Sequence, residues 1–386
     1  MIGVIADDLT GAAEIGAIGL RHGLRAEIIF SGEPSGDADL VCVDADSRSQ
    51  TADEAARRAA DAAKLLRDAG AKWIYKKVDS VLRGHVSAEI EAVMKQLDFQ
   101  CALLAPANPS LGRTIFNGNY FVGSKPIHKT EFVRDPQFPR RSPQVLELVK
   151  LPPTFSINVC KAGEKIRENG IVIAEAATSA DVAQWAKCHD EKIFPAGGAE
   201  FFNALLTAKN AGDGTVRPEN LLTGGEAREF FVSGTASVSA RKFAAAAKRE
   251  KTPVFSLPLE LSWGANLVPA AVDAIGQRIV AAFDSHRRVV LTVGLPQMKD
   301  SKASEKLSEH IAQIAVSALR HANVSHIFSE GGATSAALVR QMGWKRLKVL
   351  CEEAPGVATL LADGEKKILL TIKPGSYSWP QEFIKN

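Results

Sequence analysis

The chain opens on an apolar run, Ile2-Gly-Val-Ile-Ala6, that stops in Asp7, Asp8, Thr10 and Gly11 before an amphipathic stretch with helical spacing. The same sequence of apolar run, polar turn and amphipathic segment recurs, and it predicts strands over residues 2–6, 25–30, 38–43, 72–78 and 101–105. Between them, residues 54–66 are alanine-rich with few breakers, and residues 87–97 set Ile90, Val93, Met94 and Leu97 on one helical face. Strands alternating with helices predict a parallel sheet joined by crossover helices. The residues just past the strands then share one sheet edge, where ligands of open α/β sheets bind: Asp7 and Asp8, Asp44 and Asp46, Asp79 and Ser80, Pro106 and Asn108.

Residues 109–145 break this pattern. Rich in Gly, Pro, Asn and Arg, with Gly112-Arg113-Thr114, Asn117-Gly118 and Asp135-Pro136, they are expected to form a long irregular functional loop or lid. Strands near 171–174 and 192–194 resume the alternation to about residue 208, and the polar, glycine-rich stretch 209–228 is expected to hold a domain boundary. The pattern then restarts, with strands at 230–233, 289–293, 326–328 and 368–372, a helix at 237–248, and a long helix carrying Leu307, Ile311, Ile314, Ala315 and Ala318. The expected fold is α/β in two domains, residues 1–225 and 226–386, each a mostly parallel sheet with flanking helices and with an active site in the cleft between them.

The bulk numbers narrow the function classes. A length of 386 residues exceeds what one core usually serves, and 46% hydrophobic with 24% charged residues excludes a disordered chain. The net charge of +3 arises from 47 basic and 44 acidic residues without a long like-charge block, which argues against nucleic acid as a partner and for a small-molecule ligand. No segment approaches the ~18 uninterrupted apolar residues of a membrane span, and the strand at the N-terminus is not a secretory leader. A cytoplasmic protein is expected, with oligomeric state open, a homodimer included. The five cysteines, Cys42, Cys101, Cys160, Cys188 and Cys351, form no C-x-x-C pair and read as reduced packing thiols rather than a disulfide framework or zinc site.

Three strand ends in the second half carry glycine: Ser233-Gly-Thr-Ala-Ser237, Ser329-Glu-Gly-Gly-Ala-Thr-Ser335 and Lys373-Pro-Gly-Ser376. Glycine admits close backbone approach and a helix N-terminus presents free N–H groups, a combination suited to phosphate. Taken singly such glycines only make tight turns; three at one edge, with hydroxyls and Lys373 nearby, favour a nucleotide site. Neither G-x-x-x-x-G-K-[ST] nor G-x-G-x-x-G is present.

In the first half, Lys76-Lys77-Val-Asp79-Ser80-Val-Leu-Arg83-Gly84 crowds charges around one strand end. Arg83 is suited to a bidentate grip on a small carboxylate, and equally to a structural ion pair with Asp79. Asp7 and Asp8 can accept hydrogen bonds from hydroxyls. Asp8 is a candidate Mg²⁺ ligand or general base for phosphoryl transfer, or else the cap of the helix that follows.

Further along these same stretches, Ile5-Ala-Asp-Asp-Leu-Thr-Gly-Ala12 and Lys76 to Gly84 are joined by Ala105-Pro-Ala-Asn-Pro109, Gly112-Arg-Thr114, Asn117-Gly118, Lys129-Thr-Glu-Phe132, Asp135-Pro136 and the three C-terminal junctions. In these motifs and their order, from residue 2 to about residue 378, the chain resembles the four-carbon acid sugar kinase family. The resemblance implies ATP-dependent phosphorylation of the terminal hydroxyl of threonate, erythronate or a 3-oxo-tetronate, with Mg²⁺ accompanying the nucleotide. It implies acid-sugar binding by the N-terminal domain, with Asp8 and Arg83 in contact with substrate; the charges around them complete the candidate substrate site with Asp7, Lys77 and Asp79, and Asp8 is the candidate catalytic residue. Nucleotide binding falls to Ser237, Gly331, Gly332, Ala333, Thr334 and Gly375. The chain departs from the family where an acidic residue usually stands, at Ala333, and where Lys-x-Gly-Asn-Phe-Gly appears as Lys373-Pro-Gly-Ser-Tyr-Ser378. Glu330 is the carboxylate that could replace the lost one. These departures leave a binding protein without turnover as the alternative, while the missing G-x-G-x-x-G sets a dehydrogenase aside.

Overall fold

The computed structural model describes residues 1–135, 137–150, 154–211, 227–235, 237–257, 268–294, 301–364, 366–375 and 377–384, with side chains left aside at 301–305, 382 and 384. The chain divides into two compact units, Met1–Val216 and Arg217–Asn386. The boundary expected at residue 225 lies outside the described residues.

In the first unit the strands β1 (Ile2–Ala6), β2 (Ala26–Ile29), β3 (Leu40–Asp44), β4 (Trp73–Lys77) and β5 (Cys101–Ala105) fall where the apolar runs predict them. After β5 the chain does not wander: β6 (Arg113–Phe116), β7 (Asn119–Val122) and β8 (Lys125–Pro126) form a small antiparallel sheet, which corrects the expected irregular loop. Asn117-Gly118 makes the two-residue turn, with φ of 46° and 71° at the two positions, the left-handed pair a tight hairpin requires. Ile115 and Tyr120 stand opposite one another across this hairpin and are fully buried. Then follow β9 (Ile157–Cys160), which the sequence pattern did not announce, β10 (Gly170–Ala174) and β11 (Ile193–Gly197). The order β2-β3-β1-β4-β11-β5-β10-β9 is parallel throughout, so each connection crosses over a sheet face.

The crossover helices are α1 (Leu9–Arg21), α2 (Ala52–Asp68) and α3 (Val86–Leu97), then the short α4 (Val145–Val149), α5 (Ser179–Lys187) and α6 (Ala199–Ala208). Helices α2 and α3 pack together, as do α5 and α6, with α1 also against α6. Cys42, Cys101 and Cys160 are free and buried in this core.

The second unit is built from β12 (Glu229–Ser233), β13 (Val254–Ser256), β14 (Arg288–Thr292), β15 (His326–Glu330), β16 (Arg346–Ala354), β17 (Val357–Ala362) and β18 (Leu369–Lys373), ordered β13-β14-β12-β15-β18-β17-β16. The first five in that order are parallel, and β17 and β16 continue as an antiparallel hairpin. Its helices are α7 (Val238–Arg249), α8 (Pro269–Ala282), α9 (Ser301–Leu319), α10 (Gly332–Met342) and the terminal turn α11 (Gln381–Ile384). Phe231, Phe243, Phe328 and Trp379 meet in its core, with Phe231 and Phe328 stacked at 4.3 Å between ring centroids.

Candidate active site

Parallel pairing puts the polar strand ends of the first unit side by side. Ala6 is paired with Asp44, Ile5 with Lys76, Lys77 with Gly197, and Gly197 with Ala105, so the turns after β1, β3, β4 and β5 open on one edge. Asp8 caps α1: its Oδ1 accepts from Gly11 N at 2.8 Å and its Oδ2 from Thr10 Oγ1 at 2.7 Å. A Cβ on Gly11 would come within 2.9 Å of that same Oδ1, which explains a glycine in the first turn.

The residue that organises this edge is Arg48, four positions beyond the end of β3. Its Nε donates to Asp7 Oδ2 at 2.7 Å, its Nη1 to Asp8 Oδ2 at 2.6 Å, and its Nη2 lies 3.8 Å from Asp79 Oδ1. Asp7 is nearly sealed at 3% exposure, whereas Asp8 keeps 18% and is the one of the two that a ligand can reach. Burial pushes the Asp8 carboxyl up, but Arg48, the Thr10 hydroxyl, Lys77 and the Gly11 N–H together hold it below the usual carboxylate range. Burial acts the same way on Asp79, where Arg83 and Arg48 outweigh it and keep the group well below that range. Asp44 has no such cation: burial, then Asp46, push it well above the usual carboxylate range.

Arg83 folds back on the loop that carries it. Nε and Nη2 grip Asp79 Oδ2 and Oδ1 at 2.9 and 2.8 Å, the Arg83 N–H adds a third bond, and Nη1 lies 3.5 Å from Asp135. Lys77 Nζ sits 3.1 Å from Glu14, and the buried Lys76 pairs with Glu89 at 2.8 Å. Beside them Arg113, at the start of β6, reaches across to donate to Ser80 Oγ, and Tyr120 donates to the Ser80 carbonyl.

In the second unit β12, β15 and β18 are neighbours, with Ser233 paired to Glu330 and Glu330 to Lys373, so the three glycine junctions do share one edge. They converge on two threonines: a Cβ on Gly234 would overlap the Thr334 side chain, and one on Gly375 would lie 2.9 Å from Thr235 Oγ1. Gly331, with φ of 103°, turns the chain into α10 and gives that helix no capping side chain. The N–H groups of its first turn, from Gly332 onward, have no acceptor within the helix, while Ala333 is exposed and Thr334 buried. Ser237 caps α7, its hydroxyl accepting from Ala240 N at 3.0 Å.

Comparison with known proteins settles the family. The model described as a sugar-binding N-terminal domain matches residues 2–205, and that of a nucleotide-binding C-terminal domain matches residues 230–377. The chain belongs to the four-carbon acid sugar kinase family. It is 25% identical over 384 residues to a D-threonate kinase of Salmonella typhimurium, covering 91% of this chain and 89% of that one. A D-threonate kinase of Cupriavidus necator is 29% identical (92% and 88% covered), and a 3-oxo-tetronate kinase of Pseudomonas savastanoi 25% (100% and 96%). The fold matches solved structures of a Haemophilus influenzae protein (TM-score 0.73, 23% identity, 98% and 97% covered) and of a Salmonella typhimurium protein described as a putative tRNA synthase (TM-score 0.79, 19%, 99% and 97%). As a member of the acid sugar kinase family, this chain is a phosphotransferase.

Within this acid sugar kinase, Asp7, Asp8, Lys77, Asp79 and Arg83 do gather at one edge, and Ser237, Gly331, Gly332, Ala333, Thr334 and Gly375 at another. Arg48 went unread because its number places it in a turn; three aspartates at one edge demand a cation, and that charge balance was the available signal. Glu330 does not replace a carboxylate at Ala333. Only 1% exposed, it takes Lys373 Nζ on Oε1 at 2.6 Å and Ser233 Oγ on Oε2 at 3.0 Å, so both oxygens are consumed inside the core. The departure at Ser376 falls outside the described residues.

Proposed function

We propose that the protein transfers the γ-phosphate of Mg²⁺-ATP to a hydroxyl of a four-carbon acid sugar, the first unit holding the sugar and the second the nucleotide. The observation that carries this reading is the contrast between the two edges. One presents carboxylates held ionised, which accept from sugar hydroxyls; the other presents an uncapped helix N-terminus framed by glycines, which suits phosphate. Full-length likeness to D-threonate and 3-oxo-tetronate kinases supports the substrate class.

Asp8 is the group we assign to the acceptor hydroxyl. Among the described residues its Oδ1 accepts only the Gly11 N–H, leaving lone-pair capacity for a substrate hydroxyl, and Arg48 fixes its orientation. Phosphoryl transfer passes through a loose transition state, so a carboxylate that aligns the hydroxyl and takes its proton late serves without a raised pKa. Asp7, Asp79 and Lys77 hold Asp8 and Arg48 in place, and Arg83 orients Asp79. In the second unit, the N–H groups of Gly332, Ala333 and Thr334 would cradle phosphate, with Gly375 and Ser237 shaping the floor. When bound with the nucleotide, Mg²⁺ would neutralise phosphate charge.

The test is ADP release over a panel of threonates, erythronates and 3-oxo-tetronates with ATP and Mg²⁺. Turnover of at least one supports the reading; no turnover, with no heat of ATP binding by calorimetry, ends it. Ala333, exposed where the family usually carries an acid, favours one second reading, a binder without turnover. Thermal stabilisation by a tetronate but not by ATP would select it.

A further inference from the structure

Building on the acid-sugar reading of the first unit, we infer that Arg113 is the residue that binds the substrate's carboxylate, and so selects acid sugars over neutral ones. The argument is an accounting of the cations at this edge. Arg48 is spent on Asp7 and Asp8, and Arg83 grips Asp79 with two N–H groups and faces Asp135 with a third. Lys76 and Lys77 are paired with Glu89 and Glu14. Arg140 is buried against carbonyls, donating to Phe138 O at 2.7 Å and Leu82 O at 2.8 Å. For a ligand carboxylate to use any of the paired four, it must displace a protein carboxylate and leave that one uncompensated.

Arg113 differs. Among the described residues no carboxylate lies within ion-pair distance of it, and its guanidinium, with five N–H donors, meets the neutral Ser80 hydroxyl. Its backbone is clamped to Asn108 in both directions, at 2.7 and 3.0 Å, so the side chain springs from a fixed point just past the end of β5. Ser80 adjoins Asp79, which places the free guanidinium beside the carboxylate edge rather than out on the hairpin surface. A half-buried guanidinium with spare paired donors is the group that a planar carboxylate fits. The aspartates would then take the hydroxyls of the same four-carbon chain.

The test compares wild type, Arg113→Gln and Arg113→Lys for KM of each tetronate and of ATP, and for inhibition by the matching neutral tetritol. The expected result is a rise of about 10- to 100-fold in tetronate KM for Gln, a smaller rise for Lys, and unchanged ATP KM and tetritol inhibition. Unchanged tetronate KM in Gln overturns the assignment, and so does weakening of tetronate and tetritol by the same factor, which marks a merely structural arginine. Should the Gln variant not fold, the Lys variant decides, an unaltered tetronate KM overturning the assignment. If wild type neither turns over nor is stabilised by any tetronate, the functional reading falls and takes this inference with it; an active wild type with an unaffected variant sinks the inference alone.

Discussion

Lys373 Nζ lies 2.6 Å from Glu330 Oε1, and neither side chain is more than 1% exposed. The lysine also donates to the Tyr377 carbonyl at 2.7 Å and sits 5.0 Å over the Trp379 ring, so it ties the chain after β18 back onto β15. Burial pushes Glu330 up and Lys373 down; their mutual attraction opposes both shifts, and hydrogen bonds from Ser233 and Trp379 add to it at Glu330. Such a pair adds little net stability while intact, yet removing one partner leaves a buried, uncompensated charge. Lys373→Met should therefore cost about 3–5 kcal/mol in urea unfolding, and the double variant Lys373→Met with Glu330→Gln should recover part of that. A single variant as stable as wild type would contradict this account.

His326 predicts the response to acid. It is buried, bonded to Thr371 Oγ1 at 2.7 Å, and burial pushes its pKa down to about 3. In the unfolded chain a histidine titrates near about 6.5. Between those values the unfolded state binds the extra proton, so this contribution is present above about pH 6.5 and is lost as pH falls toward 3, by at most about 1.4 kcal/mol per pH unit. Between about pH 6.5 and pH 5, wild type should lose about 2 kcal/mol more than His326→Asn. Denaturant midpoints that fall in parallel for both proteins would exclude His326 as the source.

Under the proposed phosphate role of the α10 N-terminus, Gly331 would tie backbone conformation to nucleotide binding. At φ of 103° an L side chain is strained, and the position opens the N-terminus of α10. Gly331→Ala should cost about 1–3 kcal/mol of stability and raise the KM for ATP, leaving that for the acid sugar in place. Equal shifts in both constants would mean that the glycine serves folding alone.

Much of this was legible in the sequence because two signals agreed wherever the chain is parallel. Apolar runs of about five residues, each ending in polar turn residues, located β1, β3, β5, β12, β15 and β18 and hence both edges. What escaped were elements without that punctuation. β16 alternates charged and apolar residues only over Arg346 to Val349 before turning polar, β17 is an apolar run joined to it through Gly356, and β9 is half-buried at the sheet's end. The hairpin at β6 and β7 was announced by Asn117-Gly118, but its strands are only four residues long and the glycines and polar residues around them gave the stretch its loop character. At the site, residue type identified aspartates and arginines but not who pairs with whom. The ion pair between Asp79 and Arg83 is local, four residues apart, whereas Arg48 meets Asp7 and Asp8 across 41 and 40 residues and needs the parallel register of β1 and β3 to do so.

That register makes Arg48 the most informative position to change. Among the described residues, buried Asp7 Oδ1 finds no hydrogen-bond partner, so the Asp7 carboxylate leans on Arg48 through its other oxygen. Arg48→Ala leaves Asp79 to Arg83 but takes the guanidinium from Asp7 and Asp8, with Lys77 as the remaining cation acting on Asp8, and should cost about 3 kcal/mol of stability. The catalytic consequence has a definite sign. With Arg48 present the Asp8 carboxyl is held below its ordinary value, so wild type keeps activity as pH falls until that depressed value is reached. Without it, burial and the neighbouring carboxylates prevail, Asp8 protonates at higher pH, and the acidic limb of kcat/KM measured between about pH 4 and pH 7 should move upward. Arg48→Lys restores a charge but not the fork that spans two carboxylates, so it should return the limb partway while kcat stays depressed. An acidic limb that does not move in Arg48→Ala would separate Asp8 from the proton that the reaction releases.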